Sequence, residues 1–156
     1  MKITNLKCAV IGGSPIVRIT TDEGIDGLGQ GEFAKPYLKP HVLFYRDYIL
    51  GEDPTDVQRV MNRIRRLGGF KPWGTAVSAI EVALWDIAGK HFGVPSYQLL
   101  GGRVRDKARV YYHVYGNTRE KLVQGVRDAR AAGFTAVGHL TPVSYTHLTL
   151  PTNREV

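Results

Sequence analysis

The first thirty positions of the chain alternate between apolar and polar residues, and a helical period replaces this alternation later. Residues 2–10, 16–21 and 25–30 are short segments rich in β-branched side chains. Residues 12–15 and 22–24 separate them and carry the glycine and proline of tight turns. Short alternating segments joined by such turns predict a three-stranded antiparallel meander.

Three glycines in the last of these segments, Gly27, Gly29 and Gly31, suggest a phosphate-binding loop. A dinucleotide fingerprint needs a helix that opens directly on its glycines. Residues 32–36 do not start a helix cleanly. Strand glycines at a bulge are therefore the favoured interpretation.

Helical patterns follow the meander. The first is predicted over residues 40–49. The second is predicted to begin at Asp53 and Pro54, because Asp is a preferred cap and Pro suits the first helical position. It is expected to end at residues 68–69, which are both glycine. Its predicted buried face consists of Val57, Val60, Met61 and Ile64.

A third helix is predicted over residues 75–92. Its apolar stripe is expected to contain Val77, Ile80, Leu84, Ile87 and His91, with Ala79, Ala83 and Ala88 on a side suited to close packing. Glu81 and Asp86 are candidate catalytic carboxylates. They are five positions apart and so point to different sides of the helix. A structural role, such as anchoring a neighbouring loop, is the favoured interpretation.

The pattern changes after residue 102. Residues 108–114 read as a strand, residues 117–120 as a capping-box-like helix start, and residues 134–140 as a second strand. Gly133 is expected to close the intervening helix. Strand, helix and strand in this order predict a parallel pair. The fold class is therefore α+β over the first part of the chain, followed by the opening of an α/β unit.

Composition excludes several classes of protein. The formal net charge is +7, but the basic residues are scattered, and the densest group lies at one helix end at Arg63, Arg65 and Arg66. Nucleic-acid binding is therefore not favoured. There is no apolar run long enough for a membrane span and no secretory signal. The single cysteine, Cys8, fits a reducing compartment. These features predict a cytoplasmic protein.

The last residues, 143–156, have a separate explanation. They can be produced by translating the bases GTC TCT TAT ACA CAT CTG ACG CTG CCG ACG, which resemble a transposase adapter used in library preparation. Residues 153–155 then correspond to a variable index and Val156 to the final GTG codon. A natural β-rich tail is the alternative. We predict a non-native tail, whose removal leaves the net charge unchanged because it holds one Arg and one Glu.

The order of elements and several short motifs resemble the enolase superfamily, in its mandelate racemase/muconate lactonizing enzyme group. The resemblance implies an N-terminal capping domain over residues 1–103, made of the meander and a helical bundle. It also implies the first βαβ unit of a truncated (β/α) barrel over residues 104–142. The matching motifs are Thr21-Asp-Glu-Gly24, Leu50-Gly-Glu-Asp-Pro54, Ala83-Leu-Trp-Asp-Ile87, Gly93-Val-Pro95, Gln98-Leu-Leu-Gly-Gly102 and Gly133-Phe-Thr-Ala-Val137.

This resemblance implies removal of a proton next to a carboxylate, with Mg²⁺ stabilising the resulting enediolate. Within the group, the chain resembles the sugar-acid (aldonate) dehydratases of the galactonate type. The resemblance also implies a small-molecule sugar-acid substrate and a homo-oligomer. The metal ligands of the family come from later strands, so none is expected in this chain. A racemase or cycloisomerase of the same group is one alternative, and a non-enzymatic α+β binding module is another.

Two loops of the meander cover the active site in the family, and by position they correspond to residues 11–15 and roughly 30–39. The second loop carries Lys35, Tyr37 and Lys39, which suit a substrate carboxylate and hydroxyls. Trp73, in a later loop, is a further candidate for substrate binding. Surface charge is the simpler explanation for the lysines, and packing is the simpler explanation for Tyr37 and Trp73.

The chain departs from the family at the end of the second barrel strand. Many members carry two lysines there that act as base, whereas the aligned positions here are Gly138 and Leu140. This argues against a racemase or cycloisomerase that depends on those lysines. His139, between them, is a weak candidate for a catalytic residue, because alternation places it on the opposite face. His113, on the first strand, is expected to be a packed or outward histidine.

Overall fold

The computed structural model describes residues 1–67 and 74–141. These residues form two compact units, Met1–Arg103 and a second unit that begins at Val104. Trp73, the predicted helix end at residues 68–69 and the predicted tail at residues 143–156 lie outside the described residues. In the described part of the chain, no helix has both the length and the apolar character that a membrane crossing requires.

The first unit opens with the predicted meander, which the structure confirms. Strands β1 (Ile3–Ile11), β2 (Ser14–Thr21) and β3 (Asp26–Gln30) form one antiparallel sheet in the order β1-β2-β3. The first hairpin turns through Gly12 and Gly13, with φ of +56° and +83°. Two consecutive positive φ values are those of a tight turn whose twist matches the flanking strands.

The helix predicted over residues 40–49 is interrupted. The structure has a 3-10 turn at Pro36–Leu38, then α1 (Lys39–Phe44) and α2 (Arg46–Ile49), with Tyr45 between the two helices. Tyr45 is buried against the core. The prediction of one continuous helix was therefore wrong at this point, where the backbone bonds tighten: the Tyr45 amide donates to the Val42 carbonyl at 3.1 Å, and the Tyr48 amide donates to the Tyr45 carbonyl at 3.2 Å.

The second predicted helix, α3, spans Val57–Arg65 and begins later than predicted. The carboxylate of Asp53 accepts hydrogen bonds from the Thr55 amide at 2.9 Å and the Thr55 hydroxyl at 2.6 Å. Asp53 thus closes a local turn before the helix and does not cap the helix itself. The predicted buried face is confirmed at all four apolar positions of α3.

The third predicted helix is confirmed as α4 (Gly74–Phe92), and a short helix α5 (Ser96–Leu99) follows it. Four members of the predicted stripe are buried, but His91 is exposed. Its Nδ1 lies 4.0 Å from Glu23 Oε2. The helical period continues past the point where the core ends, so the last position of the stripe meets a surface carboxylate and solvent.

The glycines of β3 allow the sheet to approach α4 closely. A Cβ atom added at Gly27 would lie 2.0 Å from the carbonyl oxygen of Ala83, and one at Gly29 would lie 1.9 Å from that of Ala79. The register between β2 and β3 is regular. The bulge interpretation was therefore wrong, whereas the close packing predicted for the alanine side of α4 is confirmed.

The core of the first unit lies between the inner face of the sheet and the helices. Side chains from β1, β2 and α1 to α4 all contribute to it. Burial of this continuous apolar surface is the main source of stability for such a unit. Its largest fully buried members are Ile3, Leu6, Ile19, Leu38, Ile49, Met61, Ile64, Ile80, Leu84 and Ile87.

The second unit contains β4 (Tyr112–Tyr115), α6 (Arg119–Ala131) and β5 (Val137–Thr141). The two strands pair in parallel, which confirms the predicted arrangement. Both strands are shorter than predicted. The helix is capped by Thr118, whose side chain accepts a bond from the Lys121 amide at 3.3 Å, and not by Asn117. Gly133, with φ of +90°, follows the helix as predicted.

Candidate functional site

Two loops at one end of the meander form the candidate site predicted for the first unit. Ser14 follows the hairpin turn and is buried. Its Oγ accepts a hydrogen bond from Gln30 Nε2 at 3.2 Å, and the Gly31 amide donates to the Pro15 carbonyl at 2.7 Å. These two hydrogen bonds join the segment that follows β3 to the first hairpin. The two loops therefore lie side by side.

Lys35 is held by an acidic neighbour within the second loop. Its ammonium group lies 2.5 Å from Glu32 Oε2, and the hydroxyl of Thr75, at the start of α4, donates to the same oxygen at 3.4 Å. The bond from Lys35 lowers the pKa of Glu32, and the same bond raises the pKa of Lys35. Glu32 thus connects the loop to α4. It was missed as a site residue, although its spacing from Lys35 could have indicated the pair.

Tyr37 lies in the 3-10 turn and is half exposed. Leu38 beside it is fully buried and anchors this turn to the core. Ala34 has a φ of +60°, which is uncommon for a residue other than glycine and marks a sharp bend in the loop. The bend leaves Phe33 largely exposed, with its ring 3.2 Å from where a Cβ on Gly13 would lie. The loop therefore presents Phe33 and Tyr37 at the surface.

Lys39 lines a different feature, a groove formed by residues of the sheet and of helices α1 and α2. This sheet groove has a volume of about 720 Å³. Its lining combines apolar side chains with four basic residues, Lys7, Arg18, Lys39 and Arg46. The structure therefore does not place Lys39 with the Glu32–Lys35 pair. The groove is lined by Asn5, Leu6, Lys7, Cys8, Ala9, Ile11, Ile16, Arg18, Leu28, Lys39, Leu43 and Arg46.

The basic residues of the sheet groove differ in their partners. Arg18 pairs with Asp26 at 2.6 Å, and Arg46 donates to the Asn5 side chain at 3.3 Å. Burial raises the pKa of the Cys8 thiol, and the nearby charge of Lys39 opposes that rise. A thiol with a raised pKa is mostly protonated at neutral pH and is a poor nucleophile. The sheet groove therefore offers positive charge without a reactive group.

The two carboxylates of α4 link elements together, as the structural interpretation predicted. Asp86 accepts a bond from the Leu28 amide of β3 at 2.9 Å and pairs with Lys90 at 2.8 Å. Lys90 also donates to the Asp26 carbonyl at 2.7 Å. Glu81 pairs with Arg65 of α3 at 2.6 Å. Together Asp86 and Lys90 cover donor and acceptor groups on the outer edge of β3.

Within residues 1–67 and 74–141, no group of three His, Cys, Asp or Glu side chains is arranged to hold a metal ion. The described residues therefore do not fit the Mg²⁺ that the family resemblance implies. His139 lies in β5, and the structure describes its backbone. His113 lies in β4 with its Nδ1 3.2 Å from the Tyr115 hydroxyl.

Comparison with known proteins agrees with this architecture. Residues 13–101 match the profile of the "Mandelate racemase / muconate lactonizing enzyme, N-terminal domain". A D-galactonate dehydratase of Verminephrobacter eiseniae is 40% identical over 126 residues, which cover 76% of this chain and 32% of that protein. The chain therefore spans about a third of the length of the curated relatives it matches.

Solved structures of similar proteins share the fold of this chain. A mandelate racemase/muconate lactonizing enzyme-like protein from Rubrobacter xylanophilus superposes with a TM-score of 0.77 at 33% identity, over 86% of this chain and 41% of that one. An enolase from Pantoea ananatis, with D-gluconate and Mg bound, superposes with a TM-score of 0.74 at 29% identity, over 86% of this chain and 35% of that one.

Proposed function

The chain belongs to the mandelate racemase/muconate lactonizing enzyme N-terminal domain family, and we propose that it is the N-terminal part of a sugar-acid dehydratase. The observation that carries the proposal is the 40% identity to a D-galactonate dehydratase, which continues past the first unit. The enzyme would be a carbon–oxygen lyase. Met1–Arg103 would supply the capping part, with Lys35, Tyr37, Lys39 and Trp73 as candidates for substrate contact.

The proposed reaction removes the proton next to the carboxylate of an aldonate and gives an enediolate. The neighbouring hydroxyl then leaves as water, taking up a proton. The enol that results tautomerises to a 2-oxo-3-deoxy acid. Mg²⁺, when bound in the complete enzyme, would stabilise negative charge on the carboxylate oxygens. Its ligands and the catalytic base would come from residues other than those described.

Lys35 has the clearest function in this proposal. Its positive charge is preserved by Glu32, which raises its pKa and holds its side chain in place. A substrate carboxylate would compete with Glu32 for the same ammonium group. Because Glu32 also accepts a bond from Thr75, it keeps a partner when Lys35 turns toward the substrate. The exchange would therefore leave no carboxylate without a hydrogen-bond partner.

A racemase or cycloisomerase is the second candidate, and Gly138 and Leu140 disfavour it because they replace the two lysines of such enzymes. The complete proposal includes a homo-oligomer in the cytoplasm and a non-native tail at residues 143–156.

The experiment is to recover the uninterrupted gene and assay its product with Mg²⁺ on a panel of aldonates. We expect formation of a 2-oxo acid from at least one of them. Epimerisation without loss of water would instead favour the second candidate.

The chain of residues 1–156 provides the matched control. Expressed alone, it is expected to show no dehydration of any aldonate, even with Mg²⁺, because the described residues supply no metal site. Measurable turnover by this chain would contradict the proposed location of the chemistry.

A further inference from the structure

Three aromatic side chains follow one another on one face of the second unit, at every second position. The rings of Tyr111 and His113 stack, with centroids 5.0 Å apart and planes inclined by 17°. The rings of His113 and Tyr115 follow with centroids 6.0 Å apart and planes inclined by 33°. The Tyr115 hydroxyl lies 3.2 Å from His113 Nδ1, within hydrogen-bond distance. We call Tyr111, His113 and Tyr115 the aromatic ladder.

His113 and Tyr115 of the aromatic ladder lie on the face of β4 that is turned away from α6, and Tyr111 immediately precedes the strand. Val114, between His113 and Tyr115, is buried, and a Cβ added at Gly125 of α6 would lie 2.5 Å from its Cγ1. Val114 therefore faces the helix. Since side chains alternate along a strand, His113 and Tyr115 face the other way. In a (β/α) barrel, the face opposite the helices is the interior.

Gly138 of β5 lies beside this ladder. It pairs with His113, and a Cβ added there would lie 2.6 Å from two atoms of the Tyr111 ring. A lysine at this position would have to displace that ring. The Tyr111 ring therefore fills the space beside Gly138.

Tyr115 is the last residue of β4 and is three-quarters exposed in the described structure. Active-site groups of barrel enzymes lie at the carboxyl ends of the strands. A phenol can donate one hydrogen bond and accept others. With His113 as one partner, the hydroxyl of Tyr115 retains the capacity to bond a second polar group.

From this geometry we propose that Tyr115 is a substrate-contacting residue that hydrogen-bonds a hydroxyl group of the sugar acid, with His113 as the positioning residue that orients the phenol. This inference rests on the proposed dehydratase function. Tyr111 supports His113 by stacking against its ring and fills the space beside Gly138. The aromatic ladder would thus help to recognise the positions of the substrate's hydroxyl groups. It would not serve as the catalytic base that removes the proton.

The test uses the complete enzyme and measures kcat and KM for the aldonate on which the wild type is most active. Tyr115→Phe keeps the ring and removes the hydroxyl, and we expect kcat/KM to fall about tenfold. Tyr112→Phe is the matched control, because Tyr112 faces the other side and contacts Phe134 at a centroid distance of 5.1 Å. We expect it to change kcat/KM less than about twofold.

Deoxy analogues of the substrate separate contact from structural support. For the analogue that lacks the contacted hydroxyl, wild type and Tyr115→Phe should have the same kcat/KM, since neither can form the bond. His113→Phe keeps the stack and removes Nδ1, and it should raise KM about threefold while changing kcat less. Circular dichroism checks that each variant is folded.

The outcomes are distinguishable. If the wild type is active and Tyr115→Phe matches it on every substrate, the inference is overturned and the proposed function stands. The inference also fails if no deoxy analogue equalises the two enzymes. If the complete wild type neither dehydrates nor binds any sugar acid by calorimetry, both the inference and the proposed function are overturned.

Discussion

The two units of this chain differ in how completely they bury their own apolar side chains. In the first, sheet and helices enclose one continuous core that extends from Ile3 to Ala88. In the second, Val114 and Ala129 are the buried apolar side chains among those whose burial is described. Tyr112, Tyr115 and Val123 are exposed there. A regular strand–helix–strand pattern alone does not make a core, because two strands and one helix cannot enclose both faces of the strands.

The largest expected effect comes from placing a side chain where the first unit has none. Gly29→Val would place atoms against the Ala79 carbonyl, where a Cβ alone would approach to 1.9 Å. We expect loss of the folded first unit, because a clash with backbone should cost more than the roughly 1–3 kcal/mol of ordinary overpacking. Urea denaturation followed by tryptophan fluorescence measures it.

Gly138→Val is the matched change in the second unit. A Cβ there meets the Tyr111 ring, whose half-exposed side chain can rotate aside. We expect the first unit to keep its denaturation midpoint in this variant. Equal losses in the two variants would contradict the difference between the units.

A smaller effect is expected from removing buried atoms. Leu84 of α4 is fully buried, and Leu84→Ala should destabilise the first unit by about 3 kcal/mol, since it leaves a cavity. Val123 of α6 is 42% exposed, and Val123→Ala should change stability by less than about 0.5 kcal/mol. Denaturation curves of both variants, with hydrogen exchange of the α6 amides for the second, test this. A cost at Val123 comparable to that at Leu84 would show a second core.

The link between α4 and the edge of β3 should contribute less. Asp86→Ala removes the acceptor for the Leu28 amide, and we expect a loss of about 1 kcal/mol. Asp86→Asn keeps an acceptor and should retain most of that stability. In the second unit, Asp128 accepts a bond from Gln124 one helical turn away, and Asp128→Ala should be almost neutral. Thermal unfolding by circular dichroism ranks the three variants, and an Asp86→Ala variant as stable as wild type would exclude the proposed link.

The smallest effect concerns the titration of Glu32. The bond from Lys35 holds its pKa below the ordinary value of 4.5. The stability from this pair is therefore present above pH 4.5 and is lost as the pH falls through the lowered pKa. We expect Lys35→Gln to raise the pKa of Glu32, measured by NMR of the carboxyl carbon. Lys39→Gln, a change in the sheet groove, should leave it unchanged. The same shift in both variants would mean that general charge, and not the bond, sets this pKa.

Much of the fold could be predicted from the sequence because its signals are local. The meander, the buried face of α3 and the span of α4 follow from alternation, turn residues and helical period. Errors occurred where two local bonding patterns compete. Asp53 bonds Thr55 two positions away, in a turn before the helix begins, and i→i−3 bonds at Tyr45 and Tyr48 interrupt the helix between α1 and α2.

The candidate site was less predictable. Lys35 and Lys39 are four positions apart in the sequence, yet one pairs with Glu32 and the other lines the sheet groove. The sequence supplied the charges, but the bend at Ala34 and the burial of Leu38 separate them. The aromatic ladder was also missed as a unit, although the positions of Tyr111, His113 and Tyr115 at every second residue could have indicated a shared face.

By itself, the sequence determined the family, the order of elements and the absence of the two lysines at positions 138 and 140. Two further features are determined only by the tertiary structure. One is the close approach of α4 that requires glycine at positions 27 and 29, and the other is the side chain that occupies the space beside Gly138. The physical reason is distance along the chain. Periodicity and turns depend on neighbouring residues, whereas close approach and pairing depend on residues that are remote in sequence and meet only after folding.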